Sequence, residues 1–155
     1  MLVSIVLFGI LSSSFSVLAL EDETYDIVET ELYSGLTTID EPWTVVTSTN
    51  TTNSNGTFDS EVITKGGYFH VEYTGEEGNV SLAISNWTTA IWAGVSPSNS
   101  GETETGFYSY FTFEDCAKAY GTEDFSDLST ICTQTTDTSS PMTITKISWY
   151  NRSNN

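Results

Sequence analysis

The amino-acid sequence predicts an all-β protein, a β-sandwich of the jelly-roll type with one short helix. Short segments alternate apolar and polar residues with a period of two, turn-forming residues separate them, and Thr, Ser, Asn, Gly and Tyr dominate the composition. No stretch beyond the N-terminus keeps an apolar period of 3.6 residues, so long helices are not expected. With 155 residues and 38% hydrophobic residues, the chain suits one domain with a single core.

The segment 66–92, GGYFHVEYTGEEGNVSLAISNWTTAIW, is predicted to form a central hairpin followed by an aromatic loop. Its first half alternates two sets of residues, Phe69, Val71 and Tyr73 against Tyr68, His70 and Glu72. Its second half alternates Val80, Leu82 and Ile84 against Asn79, Ser81 and Ala83. This period is typical of strands buried on one face, and TGEEGN can turn the chain between them. Trp87 and Trp92 follow in polar surroundings, which predicts that both face solvent.

The remaining elements are predicted from shorter patterns. A first strand begins near Trp43, a turn follows at Asn55-Gly56, and Phe58, Val62 and Ile63 pack a short helical turn beneath the sheet. Segment 107–113, FYSYFTF, alternates again and places Tyr108 and Tyr110 on one face.

Three elements complete the predicted domain. EDCAKAYG is expected to form the one short helix, with acidic residues at its start and Gly121 after its end. TICTQT and ITKISWY are expected to be strands, and Trp149 in the second of these is expected in the core.

The two ends of the chain are predicted to lie outside this domain. Residues 1–19 combine an apolar run with small residues at a plausible cleavage site, so we expect a signal peptide and a secreted protein. A membrane anchor is the alternative, although the serines in this run suit a bilayer helix poorly. Residues 20–42 are strongly acidic and are interpreted as a solvated extension or linker. The domain then spans 43–150, and 151–155 form a C-terminal tail.

The formal charge of −17, with only four Lys and Arg, disfavours nucleic acid and anionic membranes as partners. Cys116 and Cys132 permit a disulfide in a secreted protein, and two buried free thiols are the alternative. No cofactor is expected. Acidic turns could hold a structural calcium ion, but no EF-hand spacing supports this.

The sequence contains no complete motif of a serine hydrolase or of a glycoside hydrolase. The segment Gly94-Val95-Ser96-Pro97-Ser98 lacks the last glycine of a nucleophile elbow, and His70 is the single histidine. Adjacent carboxylates such as Glu76-Glu77 do not provide the pair across a cleft that glycoside cleavage needs. A catalytic function is therefore not expected.

Aromatic residues on a rigid sheet can bind pyranose rings, because the C–H face of a sugar matches the electron-rich face of an indole or phenol. Three strings of this sequence, VITKGGYFHVEYTGEEGNVSLAISNW, WAGVSP and FYSYFTFEDCAKAYGTEDFSDLSTICT, resemble the β-sandwich carbohydrate-binding modules appended to cellulases and related glycanases of fibre-degrading anaerobic bacteria. The resemblance covers roughly residues 43 to 150.

This resemblance implies non-catalytic binding of plant cell-wall β-glucans such as cellulose, xyloglucan or glucomannan. By their position in the SNW and WAGVSP motifs, it implies that Trp87 and Trp92 stack on sugar rings. Strand alternation adds Tyr68, Tyr108 and Tyr110 as further candidates. The implied partners are a polysaccharide and a glycoside hydrolase catalytic domain, with the chain a monomer that is either a stand-alone binder or a piece of a larger enzyme.

Two other functions stay open at this point. The same aromatic patch would suit a secreted adhesion or protein-interaction domain, and a small glycanase is the third possibility. Five Asn-x-Ser/Thr sequons are also present, and a glycan at Asn86 would crowd a binding surface at Trp87.

Overall fold

The computed structural model describes residues 26–39, 41–49, 57–135 and 140–153. Within them, nine strands form two antiparallel sheets that enclose one hydrophobic core. The strands are β1 (Asp26–Ile39), β2 (Thr44–Ser48), β3 (Tyr68–Thr74), β4 (Val80–Asn86), β5 (Ile91–Val95), β6 (Asn99–Glu102), β7 (Phe107–Thr112), β8 (Thr130–Thr135) and β9 (Met142–Ser153). One α-helix, α1, spans Phe113–Tyr120, and a 3-10 turn spans Ser60–Val62. The predicted β-sandwich with one short helix is confirmed.

The prediction of a central hairpin is wrong, because its two strands do not pair with each other. The five-stranded sheet has the order β1-β9-β3-β7-β6, and the four-stranded sheet has the order β2-β8-β4-β5. Strands β3 and β4 therefore belong to different sheets. Their apolar sets point inward as predicted, so Phe69 and Val71 face Leu82 and Ile84 across the core.

Trp149 lies in this core, as its sequence neighbours predict. Its side chain is 1% exposed and its ring meets Phe69 edge-on, with the centroids 4.7 Å apart. A buried aromatic residue of this size contributes strongly to stability, since its removal leaves a large cavity.

The short helix ends where the sequence indicates and begins one residue earlier, at Phe113, which the sequence pattern places in the preceding strand. The hydroxyl of Thr112 accepts a hydrogen bond from the Asp115 amide, and the Asp115 carboxylate accepts hydrogen bonds from the hydroxyls of Thr112 and Ser98. These bonds lower the pKa of Asp115, with the one from Ser98 the largest cause. Gly121 ends the helix with φ 89°, a conformation that favours glycine.

The acidic run before Trp43 differs from its prediction, because much of it forms β1. This strand pairs with β9, and Leu32, Tyr33 and Ile39 are buried while acidic residues occupy solvent-facing positions. Three of the acidic residues of this run, Asp26, Glu29 and Glu31, therefore belong to an edge strand. The predicted signal peptide at 1–19 lies outside the described residues, and among the described residues no helix has the length and apolar character needed to cross a bilayer.

Candidate functional site

Three exposed tryptophans form a cluster on the four-stranded sheet. Trp43, Trp87 and Trp92 are 46%, 52% and 40% exposed. The ring centroids are 5.2 Å apart for Trp43 and Trp92, 5.9 Å for Trp87 and Trp92, and 6.4 Å for Trp43 and Trp87. We call these three residues the tryptophan surface.

Strand geometry explains why these rings meet. Trp43 directly precedes β2 and Trp92 lies on β5, and these two strands are the opposite edges of the sheet. Trp87 follows the last residue of β4. By strand alternation all three point away from the core, because Ile84 and Ala93 point into it. The rings at the two edges therefore lean inward over the sheet.

The residues beneath these rings are small. Ala83 pairs with Cys132 and Ser85 pairs with Thr130, and all four point outward. They are nevertheless almost fully buried. The tryptophans are the large side chains on this face of the sheet, so we infer that the indole rings cover these four residues. Small residues at the centre of the face allow the rings to lie down across it.

This face of the sheet carries no charge. None of β2, β4, β5 and β8 contains Asp, Glu, Lys or Arg, although the chain has a formal charge of −17. The outward polar groups beside the tryptophans are amides and hydroxyls, including the half-buried Gln134 of β8 and the exposed Thr88 and Thr89. Such a surface suits a neutral ligand that offers hydroxyl groups.

The loop that carries Trp87 is fixed by Asn86. The side-chain oxygen of Asn86 accepts hydrogen bonds from the amides of Thr88 at 2.8 Å and Thr89 at 3.1 Å. Its Nδ2 donates to Asp127 Oδ2 at 2.7 Å. The loop then reaches Ala90, whose φ of 56° is unusual for a residue other than glycine. Because Asn86 is buried and its Nδ2 donates to Asp127, a glycan on this nitrogen is incompatible with this loop.

The same Asp127 links the loop to the helix. Its Oδ1 accepts a hydrogen bond at 2.9 Å from the hydroxyl of Tyr120, the last residue of α1. Burial, followed by this carboxylate, raises the pKa of Tyr120 well above its usual range. Tyr120 therefore keeps its proton and remains a donor, so the support of the tryptophan loop does not change with pH in the neutral range.

The structure divides the residues predicted as ligand-binding between two faces. Trp87 and Trp92 are exposed and in contact, as expected from the sequence. Tyr68, Tyr108 and Tyr110 lie on β3 and β7 of the five-stranded sheet, so they point to the opposite side of the molecule. They cannot join the tryptophans in one site.

Trp43 is the member of the tryptophan surface that sequence reasoning missed, because the local pattern indicates only that a strand begins there. The position of Trp43 two residues before Val45 is the signal that could have predicted its outward orientation. Val45 pairs with the outward-facing Cys132 of β8, and residues two positions apart along a strand share a face.

Neither thiol forms a disulfide. Cys116 on α1 and Cys132 on β8 are both free and buried. Of the two possibilities that the sequence allows, the structure therefore has two buried free thiols and not a disulfide. Burial raises the pKa of Cys116 to about 12 and that of Cys132 to about 11. In the described part of the chain, no group of three or more His, Cys, Asp or Glu side chains is placed to hold a metal ion.

Comparison with known proteins identifies relatives of this arrangement. The family model for carbohydrate binding module 65 domain 1 matches residues 33–147. A solved structure of the non-catalytic carbohydrate binding module CBM65B is similar, with a TM-score of 0.56 and 27% identity over 77% of this chain and 95% of that chain. The carbohydrate binding module of endoglucanase Cel5A from Eubacterium cellulosolvens is equally similar, with a TM-score of 0.56 and 27% identity over 79% of this chain and 98% of that chain. No curated protein matches the sequence.

Proposed function

This chain belongs to the carbohydrate binding module 65 domain 1 family, and we propose that its tryptophan surface binds neutral β-glucans of plant cell walls. Non-catalytic carbohydrate binding is the function that the family and the related structures support. The binding of β-glucans by this surface is proposed because three exposed indole rings contact one another on a sheet face without charged residues.

The chemistry of the surface matches a β-linked glucan. The axial C–H groups of a β-glucopyranose ring form apolar faces, while its hydroxyl groups lie around the rim. Indole rings can receive those faces, and each aromatic contact contributes about 1 kcal/mol. Gln134, Thr88 and Thr89 provide donors and acceptors for the rim.

The angles between the rings favour one polysaccharide chain over a crystal surface. The interplanar angles are 47° for Trp43 and Trp87, 52° for Trp87 and Trp92, and 69° for Trp43 and Trp92. A flat crystalline sheet of cellulose could lie against at most one of these rings. A single glucan chain can turn from one residue to the next, so xyloglucan, glucomannan and soluble cellulose derivatives are the proposed ligands.

The biological setting is part of the same proposal. One similar solved structure is the binding module of an endoglucanase. This supports a role in which the module holds polysaccharide close to a glycoside hydrolase catalytic domain. We propose that it does so outside the cell and as a monomer.

Affinity electrophoresis tests this proposal. We expect the protein to be retarded in gels that contain xyloglucan, hydroxyethylcellulose or glucomannan, and we expect Trp87→Ala to abolish most of this retardation. Leu36→Ala is the matched control, because Leu36 is exposed and apolar but lies on β1 of the other sheet.

Three results would argue against the proposal. Retardation of Trp87→Ala equal to that of the unmodified protein would remove the tryptophan surface from binding. A lack of retardation on every glycan would favour a protein partner for this surface. Release of reducing sugar from the same polymers would contradict the absence of catalysis.

A further inference from the structure

The outer face of the five-stranded sheet carries a second group of aromatic rings. Tyr68, His70, Tyr108, Tyr110 and Tyr150 come from three neighbouring strands, β7, β3 and β9. Their centroids are 5.4 Å apart for Tyr110 and Tyr68, 5.4 Å for Tyr68 and Tyr150, 5.3 Å for Tyr150 and His70, and 5.1 Å for His70 and Tyr108. We call this unbroken series the tyrosine strip. The family relationship and the proposed function assign it no role.

Tyr108 lies nearly flat at one end of the strip. A Cβ atom placed on Gly101 of β6 would lie 2.7 Å from the Tyr108 hydroxyl oxygen and 2.8 Å from its ring carbons. The phenol therefore lies across the neighbouring strand, in space that only glycine leaves open. The His70 ring stacks on that of Tyr108 with an angle of 22° between the planes. Both residues are partly exposed on this face.

His70 also brings an unused polar atom to the strip. Its Nδ1 is buried and has no hydrogen-bond partner in the described structure, and the closest carboxylate oxygen, on Glu72, is 3.8 Å away. Burial lowers the pKa of His70, and this outweighs the opposing effect of Glu72. The imidazole is therefore neutral at neutral pH.

The charges that act on the strip are balanced. They are the carboxylates of Glu29 and Glu72 and the cations of Lys146 and Arg152. Glu29 pairs with Lys146 and also accepts a hydrogen bond from the Ser148 hydroxyl at 2.7 Å. Lys146 and Arg152 are half of the four cations in the chain, and they offset the charges of Glu29 and Glu72 beside the rings. These charged side chains can hydrogen-bond the hydroxyl groups of a neutral ligand.

We propose that the tyrosine strip is a second carbohydrate-binding surface, which takes a neutral, β-linked pyranose chain independently of the tryptophan surface. Phenol and imidazole rings would contact the sugar C–H faces, while the tyrosine hydroxyls and the Glu29–Lys146 pair would contact sugar hydroxyls. The inference rests on the proposed function only in taking a neutral glycan as the ligand.

Two such surfaces on opposite sides would make the module bivalent. Packed sheets are about 10 Å apart before their outer side chains are added, so a short oligosaccharide cannot contact both surfaces at once. The protein could instead hold two polysaccharide chains together, and a polymer offering many sites would be bound with increased avidity.

A protein partner suits the strip less well. The outward positions of β3, β7 and the adjoining part of β9 carry Tyr, His, Thr, Ser and charged residues, without an aliphatic side chain. The centres of protein interfaces are depleted in charged residues. Here the Glu29–Lys146 ion pair lies beside Tyr150, the middle ring of the tyrosine strip.

The chain provides its own reporters for an NMR titration with a soluble β-1,4-linked glucose hexasaccharide. His70 is the single histidine, so the imidazole C–H signals report on the tyrosine strip. Of the four tryptophans, three report on the tryptophan surface through their indole N–H signals, and the buried Trp149 is an internal control. We expect the His70 and surface indole signals to shift with separate saturation curves, while the Trp149 signal moves little.

Variants then separate the two surfaces. In a Trp87→Ala/Trp92→Ala protein, the His70 shifts should persist with less than a twofold change in apparent affinity. In Tyr68→Ala, the His70 affinity should fall at least fivefold while the indole titration is retained, and Tyr108→Ala serves the same purpose if Tyr68→Ala does not fold.

The outcomes distinguish the two proposals. Stationary His70 signals at a concentration that saturates the indoles would overturn the second surface and leave the first intact. The second surface is also overturned if His70 shifts only together with Trp149, or if the double tryptophan variant loses its His70 shifts. Shifts of His70 without shifts of the indoles would instead refute the proposed function while supporting the tyrosine strip.

Discussion

Replacing Trp92 with alanine tests how the tryptophan surface divides its contribution between binding and folding. The ring touches both Trp43 and Trp87 and is 40% exposed. Its loss removes one sugar contact worth about 1 kcal/mol and leaves Trp43 without its closest aromatic neighbour. We therefore expect β-glucan affinity to fall by about 1–2 kcal/mol, which corresponds to about 5- to 30-fold.

The expected loss of folding free energy is smaller than for a core tryptophan. Only part of the Trp92 ring is buried, so we expect about 1–2 kcal/mol, against about 3–5 kcal/mol for Trp149→Ala. Trp149→Ala should in turn leave binding unchanged wherever the protein is still folded. Calorimetric titration with a soluble glucan and urea unfolding measure the two quantities.

Trp92→Phe is the matched control, since it keeps an aromatic ring and should lose less affinity than Trp92→Ala. Unchanged affinity of folded Trp92→Ala would refute the reasoning, because the ring would then contribute nothing to the ligand. An unfolded Trp92→Ala protein would show that the surface is part of the core.

Further predictions concern the loop, the histidine and the thiols. Asn86→Ala should destabilise the protein by about 1–3 kcal/mol in urea unfolding, because it leaves buried polar groups unpaired; an unchanged midpoint would contradict the role given to this side chain. Ala90→Gly should stabilise by up to about 1 kcal/mol in the same assay, since φ of 56° strains alanine, and a loss of stability would show that the strain is absent. The folded chain holds the pKa of His70 below 6.5, so the unfolded chain takes up the proton first: stability should be full above pH 6.5 and fall below it, more steeply than in His70→Gln. Equal pH profiles for the two proteins between pH 7.5 and 5.5 would contradict this. Cys116 and Cys132 should resist a thiol reagent at pH 8 and react fully in denaturant, whereas reaction of the native protein would contradict their burial.

The sequence is most informative where a local pattern has a single structural solution. Alternation at Phe69, Val71 and Tyr73 can only describe a strand with one buried face, and Gly121 after a short amphipathic run can end a helix. These elements and the burial of Trp149 are therefore predictable.

The pairing of strands into sheets is not encoded in the same way. Alternation indicates that Tyr68 points outward from its strand, and polar surroundings indicate that Trp92 faces solvent, but neither pattern states that the two residues belong to opposite layers. The residues that the sequence groups as one candidate site consequently divide between two surfaces. Long-range pairing decides this, and it depends on contacts that no local pattern records.

Composition misleads in the acidic N-terminal region for a related reason. Eight acidic residues between 21 and 41 indicate solvation when counted together. In the structure, acidic residues such as Glu29 and Glu31 occupy the solvent face of β1 while Leu32 and Ile39 enter the core. Charge on one face of an edge strand also protects it from pairing with other chains.

A crystal structure of this protein with a β-1,4-linked glucose hexasaccharide would show whether the tryptophan surface binds the glycan. We expect pyranose rings against the indoles of Trp43, Trp87 and Trp92, with hydroxyl groups reaching Gln134 or the Thr88–Thr89 loop. A saccharide bound elsewhere, with the three indoles left uncovered at full occupancy, would contradict it.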